Sequence, residues 1–348
     1  MEHAASTLTV ITDKMVGIAG ILYILAMVLY TFYLIFKNKK TSLAATIAGV
    51  TGTAIHLISF FMRWIEFYEF AGGGILRAVP ITNLYESLMF FALLLALFYV
   101  VLEFKTKNKS LGAFAFAISG ATVLFINAIG ASSNLNPLVP ALQSNWLLAH
   151  VSLSFIAYVC FAVSAIAALL YLIKVSKKRK SYYYIIWTLV LGVSSATIIF
   201  LILTKVFGSS SFIDILYILL MIICSILFYI YGLSIKNLFK NIDFDLDMLE
   251  RIIYKFITAG FAIFTIGGLV FGAVWAETSW GRYWSWDPKE TWAFITWVIY
   301  GIYLHGRYSG KWSKEMAASI ALIGFLVTIF TYLGVNLLFS GLHSYGSI

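Results

Sequence analysis

Charged residues, prolines, cysteines and histidines are all scarce in this chain of 348 residues. Charges make up 11% of it, against 61% hydrophobic residues, and the mean hydropathy is +0.93. A soluble core does not need so much apolar sequence, so the composition predicts a polytopic membrane protein. With four prolines and no Ser/Gly-rich linker, residues 1–348 are expected to form a single domain.

The two cysteines, Cys160 and Cys224, lie in apolar runs and form no CxxC pattern. Isolated cysteines in apolar surroundings are usually packing residues, so we expect no redox role for them. Nothing in the sequence resembles a hydrolase triad, a P-loop or a zinc site.

Apolar runs of about 20 residues, the length that crosses a bilayer, recur along the whole chain. Ten are recognised, at 15–36, 44–65, 84–104, 111–130, 147–173, 182–206, 212–235, 252–274, 290–306 and 315–340. The predicted fold is therefore all-α, an integral membrane protein with about ten transmembrane helices.

The net charge of +9 is unevenly distributed between the predicted loops. Most Lys and Arg residues fall in alternate loops, at 37–40, 105–109, 174–180, 236–255 and 307–314. Cytoplasmic loops retain positive charge, so these loops are predicted to lie inside, with both termini and residues 275–297 outside. This alternation argues for a lipid bilayer as the partner of the basic charge and against nucleic acid.

The most unusual segment is 275–297, WAETSWGRYWSWDPKETWAFITW, which holds six of the ten tryptophans. An interfacial aromatic belt is the alternative for any single Trp, but a belt needs no fixed spacing and no acid–base cluster. Asp287 followed by Pro288 is a signal for the start of a helix, so part of this motif is expected to be capping chemistry.

Four of the five histidines have informative positions. His150 lies at the outer mouth of the fifth predicted span, and His343 lies just beyond the outer end of the tenth. His305 is at the inner end of the ninth span and His56 is in the middle of the second. An ionisable residue in mid-membrane is a functional candidate by default, so His56 is also a candidate haem ligand, with a satisfied core position as the alternative. The alternative for His150 and His343 is interfacial hydrogen bonding, and for His305 it is helix termination.

Two outer imidazoles beside a Trp-rich segment suggest a haem. Imidazoles can occupy opposite axial positions of haem iron, and indole faces offer the porphyrin an apolar wall. Arg282 and Lys289 could then pair with the two propionates.

The sequence WGRYWSWDPKETWAFITW (280–297) resembles the haem-handling WWD membrane proteins of cytochrome c maturation. Within that group it is most similar to the CcsA/ResC family, with CcmC and CcmF as relatives. PITNLYESLMF (80–90), after MRWIEF (62–67), is similar to a second pattern of this family.

The resemblance implies roles for individual residues. His150 and His343 match the two external haem ligands, and His305 matches a ligand of an inner haem. The Trp-rich haem platform matches Trp280, Gly281, Trp284, Trp286 and Asp287.

It also implies a function and partners. The family moves haem b from the inner to the outer side and presents it to a CxxCH-containing apocytochrome c together with CcsB/ResB, as part of a cytochrome c synthase (haem lyase). The expected location is a bacterial inner membrane or a plastid thylakoid. Because the usual family pattern has eight spans, residues 182–240 are expected to be an additional helical hairpin.

Two other functions remain open from the sequence. A quinone-linked b-type cytochrome often carries paired histidines on one helix, and no predicted span here has two. A solute transporter often shows repeated halves or midplane charges, whereas the polar cluster here is predicted at the outer surface.

Overall fold

The computed structural model describes residues 7–71, 74–135, 142–208, 211–238 and 245–342. These parts of the chain contain helices and connecting segments but no β-strand, which confirms the predicted all-α class.

Ten long helices follow one another in the described residues. They are α1 Thr7–Phe36, α2 Lys39–Ala71, α3 Leu84–Thr106, α4 Gly112–Ala128, α5 Asn145–Val175, α6 Tyr182–Phe207, α7 Ser211–Leu238, α8 Leu246–Trp280, α9 Pro288–Tyr308 and α10 Lys314–Leu338. A short 3₁₀ helix, Ile75–Ala78, precedes α3.

Each predicted span coincides with one of these helices. Eight of the helices described are long and apolar enough to cross a membrane; α4, with 17 residues, and α9 fall outside that group. The candidate spans support an integral membrane protein, and the described residues form ten helices, one at each predicted span. The assignment of faces stays a prediction.

Two of the helices contain a π-helical turn, which the sequence did not predict. In α8 it spans Thr265–Phe271, and in α10 it spans Phe330–Gly334. Such turns are rare in proteins, and those that occur are often at functional sites. Both occur in the halves of these helices that lead toward the predicted outer face.

Helix α5 is the centre of the bundle, since 89% of its most apolar stretch is buried, and it packs against α3, α8 and α10. Its buried surface includes many alanines, among them Ala157, Ala162 and Ala165. Small residues allow close approach between helices in a membrane, where apolar burial alone gives little drive for association.

Helices α6 and α7 pack on each other, with Gly192 facing Ser225 so closely that a Cβ at 192 would lie 2.5 Å from the Ser225 Cα. Only 6% of the apolar stretch of α7 is buried. The predicted hairpin 182–240 therefore contains a pair of helices at the periphery of the described bundle. Residues 209–210 and 239–240 of the hairpin lie outside the described parts. Its status as an addition to the family pattern stays a prediction.

Candidate functional site

Two adjacent cavities open where the ends of several helices meet. They hold about 770 and 500 Å³ of empty space, including the parts open to solvent, and both are lined by His150, Ser154, Tyr158 and Lys289. The larger one is also lined by the start of α3 and the end of α10. All of these helix ends are predicted to lie on the outer side.

His150 is held firmly in the wall that the two cavities share. Its Nδ1 lies 2.8 Å from the carbonyl oxygen of Gly267, and its ring stacks on Trp275 at 6.1 Å with 10° between the planes. A carbonyl can only accept, so Nδ1–H is the donor. In the neutral ring, the lone pair is then on Nε2, the nitrogen able to bind a metal ion.

The Trp-rich segment has a definite local structure. Helix α8 ends at Trp280 and is capped by Gly281, whose φ of +71° is a left-handed conformation favourable to glycine. Helix α9 begins at Pro288, with Asp287 as its N-cap, as predicted. Between them, Trp286 has φ +60°, an unusual conformation for a bulky residue.

The tryptophans of this segment differ in their exposure to solvent. Trp275 is 2% exposed and meets Trp280 edge-to-face at 4.8 Å. Trp284 lines the smaller cavity, and its buried Nε1–H has no hydrogen-bond partner among the described residues. Trp286 is 65% exposed. Of the tryptophans in the predicted platform, Trp280 and Trp284 are thus half-buried and Trp286 is exposed.

The two predicted partners of the propionates differ in position. Lys289 lines both cavities, and its Nζ donates to the Asn336 side chain at 2.7 Å. Arg282 is exposed. Lys289 precedes the predicted span 290–306. Burial lowers the pKa of its ammonium group to about 8, and the nearby Asp287 carboxylate offsets part of this by favouring the charged form.

The remaining histidines are dispersed. His343 lies outside the described residues. His305 is exposed near the C-terminal end of α9, whereas His56 is fully buried and its Nδ1 lies 3.1 Å from the Tyr23 hydroxyl of α1. His305 and His56 therefore do not share a site within this chain.

The second sequence pattern forms a buried charged network next to the larger cavity. Arg63 pairs with Glu86 at 3.2 Å, both side chains being fully buried. Asn83 caps α3 by accepting the amide of Glu86. The Arg-Trp and Asn-Leu-Tyr-Glu parts of this pattern thus meet in space and fix α2 against the start of α3.

Haem fits the residues of this site. An imidazole with a fixed tautomer, an aromatic wall, an ammonium group and a buried indole N–H without a partner converge there. An orphaned buried donor calls for an explanation, and an acceptor on a bound ligand is one.

Comparison with known proteins decides the family. The sequence profile of the cytochrome C assembly protein family matches residues 81–343. The chain belongs to this family. The match includes the whole of WGRYWSWDPKETWAFITW and all but the first residue of PITNLYESLMF. It begins after MRWIEF.

Relatives match almost the whole chain of this cytochrome c assembly family member. A protein of Porphyra purpurea named "Cytochrome c biogenesis protein CcsA" is 36% identical over 334 residues, 92% of this chain and 93% of its own length. Proteins of the same name from Heterosigma akashiwo and Citrus sinensis are 34% and 33% identical, over 93% and 98% of this chain and 91% and 96% of their own lengths. The predicted resemblance to CcsA is confirmed.

Several residues of the site were missed in the sequence. Tyr332 and Asn336 line the larger cavity from α10, and Gly267 supplies the carbonyl to His150. The paired glycines at 267–268 could have indicated a close helix contact, since glycine in a helix interior is unfavourable without a packing or functional reason. Asn336 offered another signal, being a polar residue in an apolar span.

Proposed function

We propose that this protein carries haem b across the membrane and presents it on the outer face for covalent attachment to an apocytochrome c. Membership of the cytochrome c assembly family supports a role in cytochrome c biogenesis. Transport, presentation and partnership with CcsB/ResB in a cytochrome c synthase are the finer parts of the proposal.

The observation that carries the proposal is the position of His150. Its Nδ1 is bound by the Gly267 carbonyl, and its ring lies between two cavities that Lys289 also lines. An imidazole oriented through its second nitrogen is the usual arrangement of a histidine ligand. Trp275 and Trp284 add apolar walls, and Lys289 adds a cation for a propionate.

His343 is proposed as the second axial ligand of the outer haem. Gly341 supports this, because a Cβ at that position would lie 3.2 Å from Asp287 Oδ2. The chain therefore passes beside the N-cap of α9 two residues before His343. Bis-histidine ligation would leave no open coordination site until a histidine of the apocytochrome displaces one of the two.

The attachment chemistry needs no nucleophile from this chain. Each cysteine thiol of the CxxCH segment adds across a haem vinyl group, forming a C–S bond while the proton goes to the other vinyl carbon. The chain's own residues orient the substrate and raise its effective concentration, which is a large contribution in an otherwise bimolecular reaction. Trp286 and Tyr283 are exposed, and they are proposed to contact the incoming peptide.

An inner haem is proposed at His305. This side chain is exposed on α9, so a second ligand would come from another chain, and CcsB/ResB is the proposed source. The fully buried His56 is a poor candidate for that ligand. The membrane is proposed to be a bacterial inner membrane or a plastid thylakoid, with the site of His150 on the external side.

The deciding experiment measures haem in purified protein, alone and with its partner. His150→Ala is expected to lose the outer haem, with partial recovery in free imidazole, and His343→Ala should behave alike. His305→Ala is expected to lower haem at both sites, because haem enters from inside. Normal haem content and cytochrome assembly in both outer variants would overturn the proposal.

A quinone-linked b-type cytochrome remains the alternative. No described helix carries two histidines, so the stacked haem pair of such proteins has no basis here. Thioether formation on an apocytochrome in the presence of the partner is expected for a synthase subunit and not for an electron carrier.

A further inference from the structure

We infer that Gly272 and the carbonyl of Gly267 act as positioning residues for His150, holding its imidazole so that Nε2 is the nitrogen presented to haem iron. This inference rests on the proposed function, since it assigns how the outer ligand is prepared.

The first observation is the close approach of Gly272 to the imidazole. A Cβ at position 272 would lie 2.9 Å from Cε1 and 3.0 Å from Nδ1 of His150, but 3.7 Å from Nε2. The space that glycine leaves is thus filled by the Cε1–Nδ1 edge of the ring. An alanine methyl group would displace the movable ring, and with it the hydrogen bond from Nδ1.

The second observation concerns the acceptor. The Gly267 carbonyl belongs to the π-helical turn Thr265–Phe271, and it receives Nδ1–H at 2.8 Å. Hydrogen bonding at this nitrogen fixes the tautomer and raises the basicity of the other nitrogen toward a metal ion. The π-helical turn therefore has a specific role at the site.

The third observation explains how α8 comes close enough. A Cβ on Gly267 would lie 2.2 Å from the Cβ of Leu153 and 3.3 Å from its carbonyl carbon. Leu153 is three residues after His150, about one turn along α5. Glycine at 267 thus permits the close contact between α5 and α8 that brings the Gly267 carbonyl to the His150 imidazole. Stacking on Trp275 fixes the plane of the His150 ring.

The test compares Gly272→Ala with Gly17→Ala, a matched control in α1 where a Cβ would meet nothing within 4 Å. In Gly272→Ala, haem affinity at the outer site is expected to fall by about ten- to a hundredfold, the usual effect of losing an outer-shell partner of a ligand. The remaining haem should have a more positive reduction potential, because a less basic imidazole stabilises ferric iron less. Gly17→Ala should match the wild type in both measurements.

A second measurement needs neither haem nor the Gly272→Ala variant. In ¹⁵N-histidine spectra of the apoprotein, with His150 assigned through His150→Ala, the wild-type ring is expected to carry its proton on Nδ1. A proton on Nε2, or unchanged affinity and potential in Gly272→Ala, would overturn the inference. If the inference fails but His150→Ala still loses haem, the proposed function stands. If His150→Ala keeps normal haem, both the inference and the proposed outer site are overturned.

Discussion

Asp287 and Glu290 cap the start of α9 reciprocally. The Asp287 side chain accepts the amide of Glu290 at 2.9 Å, and Glu290 Oε2 accepts the amide of Asp287 at 3.4 Å. The same Glu290 oxygen accepts the amide of Ser285 at 2.7 Å. The acidic residues of the WDPKE sequence therefore shape the loop that carries Trp284 and Trp286.

The capping role of Asp287 predicts a difference between two substitutions. Asp287→Ala should destabilise the protein by about 1 kcal/mol and weaken outer haem binding, because the loop loses its anchor. Asp287→Asn should retain both, since asparagine caps helices about as well as aspartate. Thermal unfolding and haem titration measure the two effects. Equal haem loss in both variants would show that the negative charge itself serves the ligand.

Lys289 predicts a pH dependence of haem affinity. Its pKa is lowered by burial to about 8, so its ammonium group loses a proton at a mildly alkaline pH. A propionate favours the charged form. Affinity should therefore fall as the pH rises through 8.

Two variants test that assignment. Lys289→Arg should bind haem with no such fall, since arginine stays charged. Lys289→Met should bind about tenfold more weakly, equal to about 1.4 kcal/mol, with no fall above pH 8. Haem titrations between pH 6 and 10 give these curves. A fall that persists in Lys289→Met would assign the titration to another group.

The span positions and the start of α9 could be predicted from the sequence, because both depend on local signals. Long apolar runs identify helices of membrane length, and Asp287–Pro288 identifies a helix start. The setting of His150 depends instead on Gly267, a residue 117 positions away on another helix. The exposure of the His305 side chain could not be predicted from the sequence either, because it depends on how α9 packs on α8 and α10.

The buried pair of Arg63 and Glu86 predicts strong coupling between α2 and α3. Glu86→Leu alone should destabilise the protein by about 3–5 kcal/mol, because it leaves the Arg63 charge buried without a carboxylate. Arg63→Met alone should have a similar effect. The double variant should lose less than the sum of the two, although Arg63 also donates to the Ser133 carbonyl and Glu86 accepts from Thr82. A double-mutant cycle from denaturation in detergent measures the coupling, and additive losses would contradict it.

The predicted topology can be tested with single cysteines introduced after replacement of Cys160 and Cys224. Thr278 lies near the end of α8 and Lys178 between α5 and α6, and both are exposed. Thr278→Cys should react with a membrane-impermeant maleimide in intact cells, since the basic loops are retained inside. Lys178→Cys should react only after permeabilisation. The opposite pattern would place the site of His150 on the inner face, where an apocytochrome awaiting haem outside the membrane could not reach it.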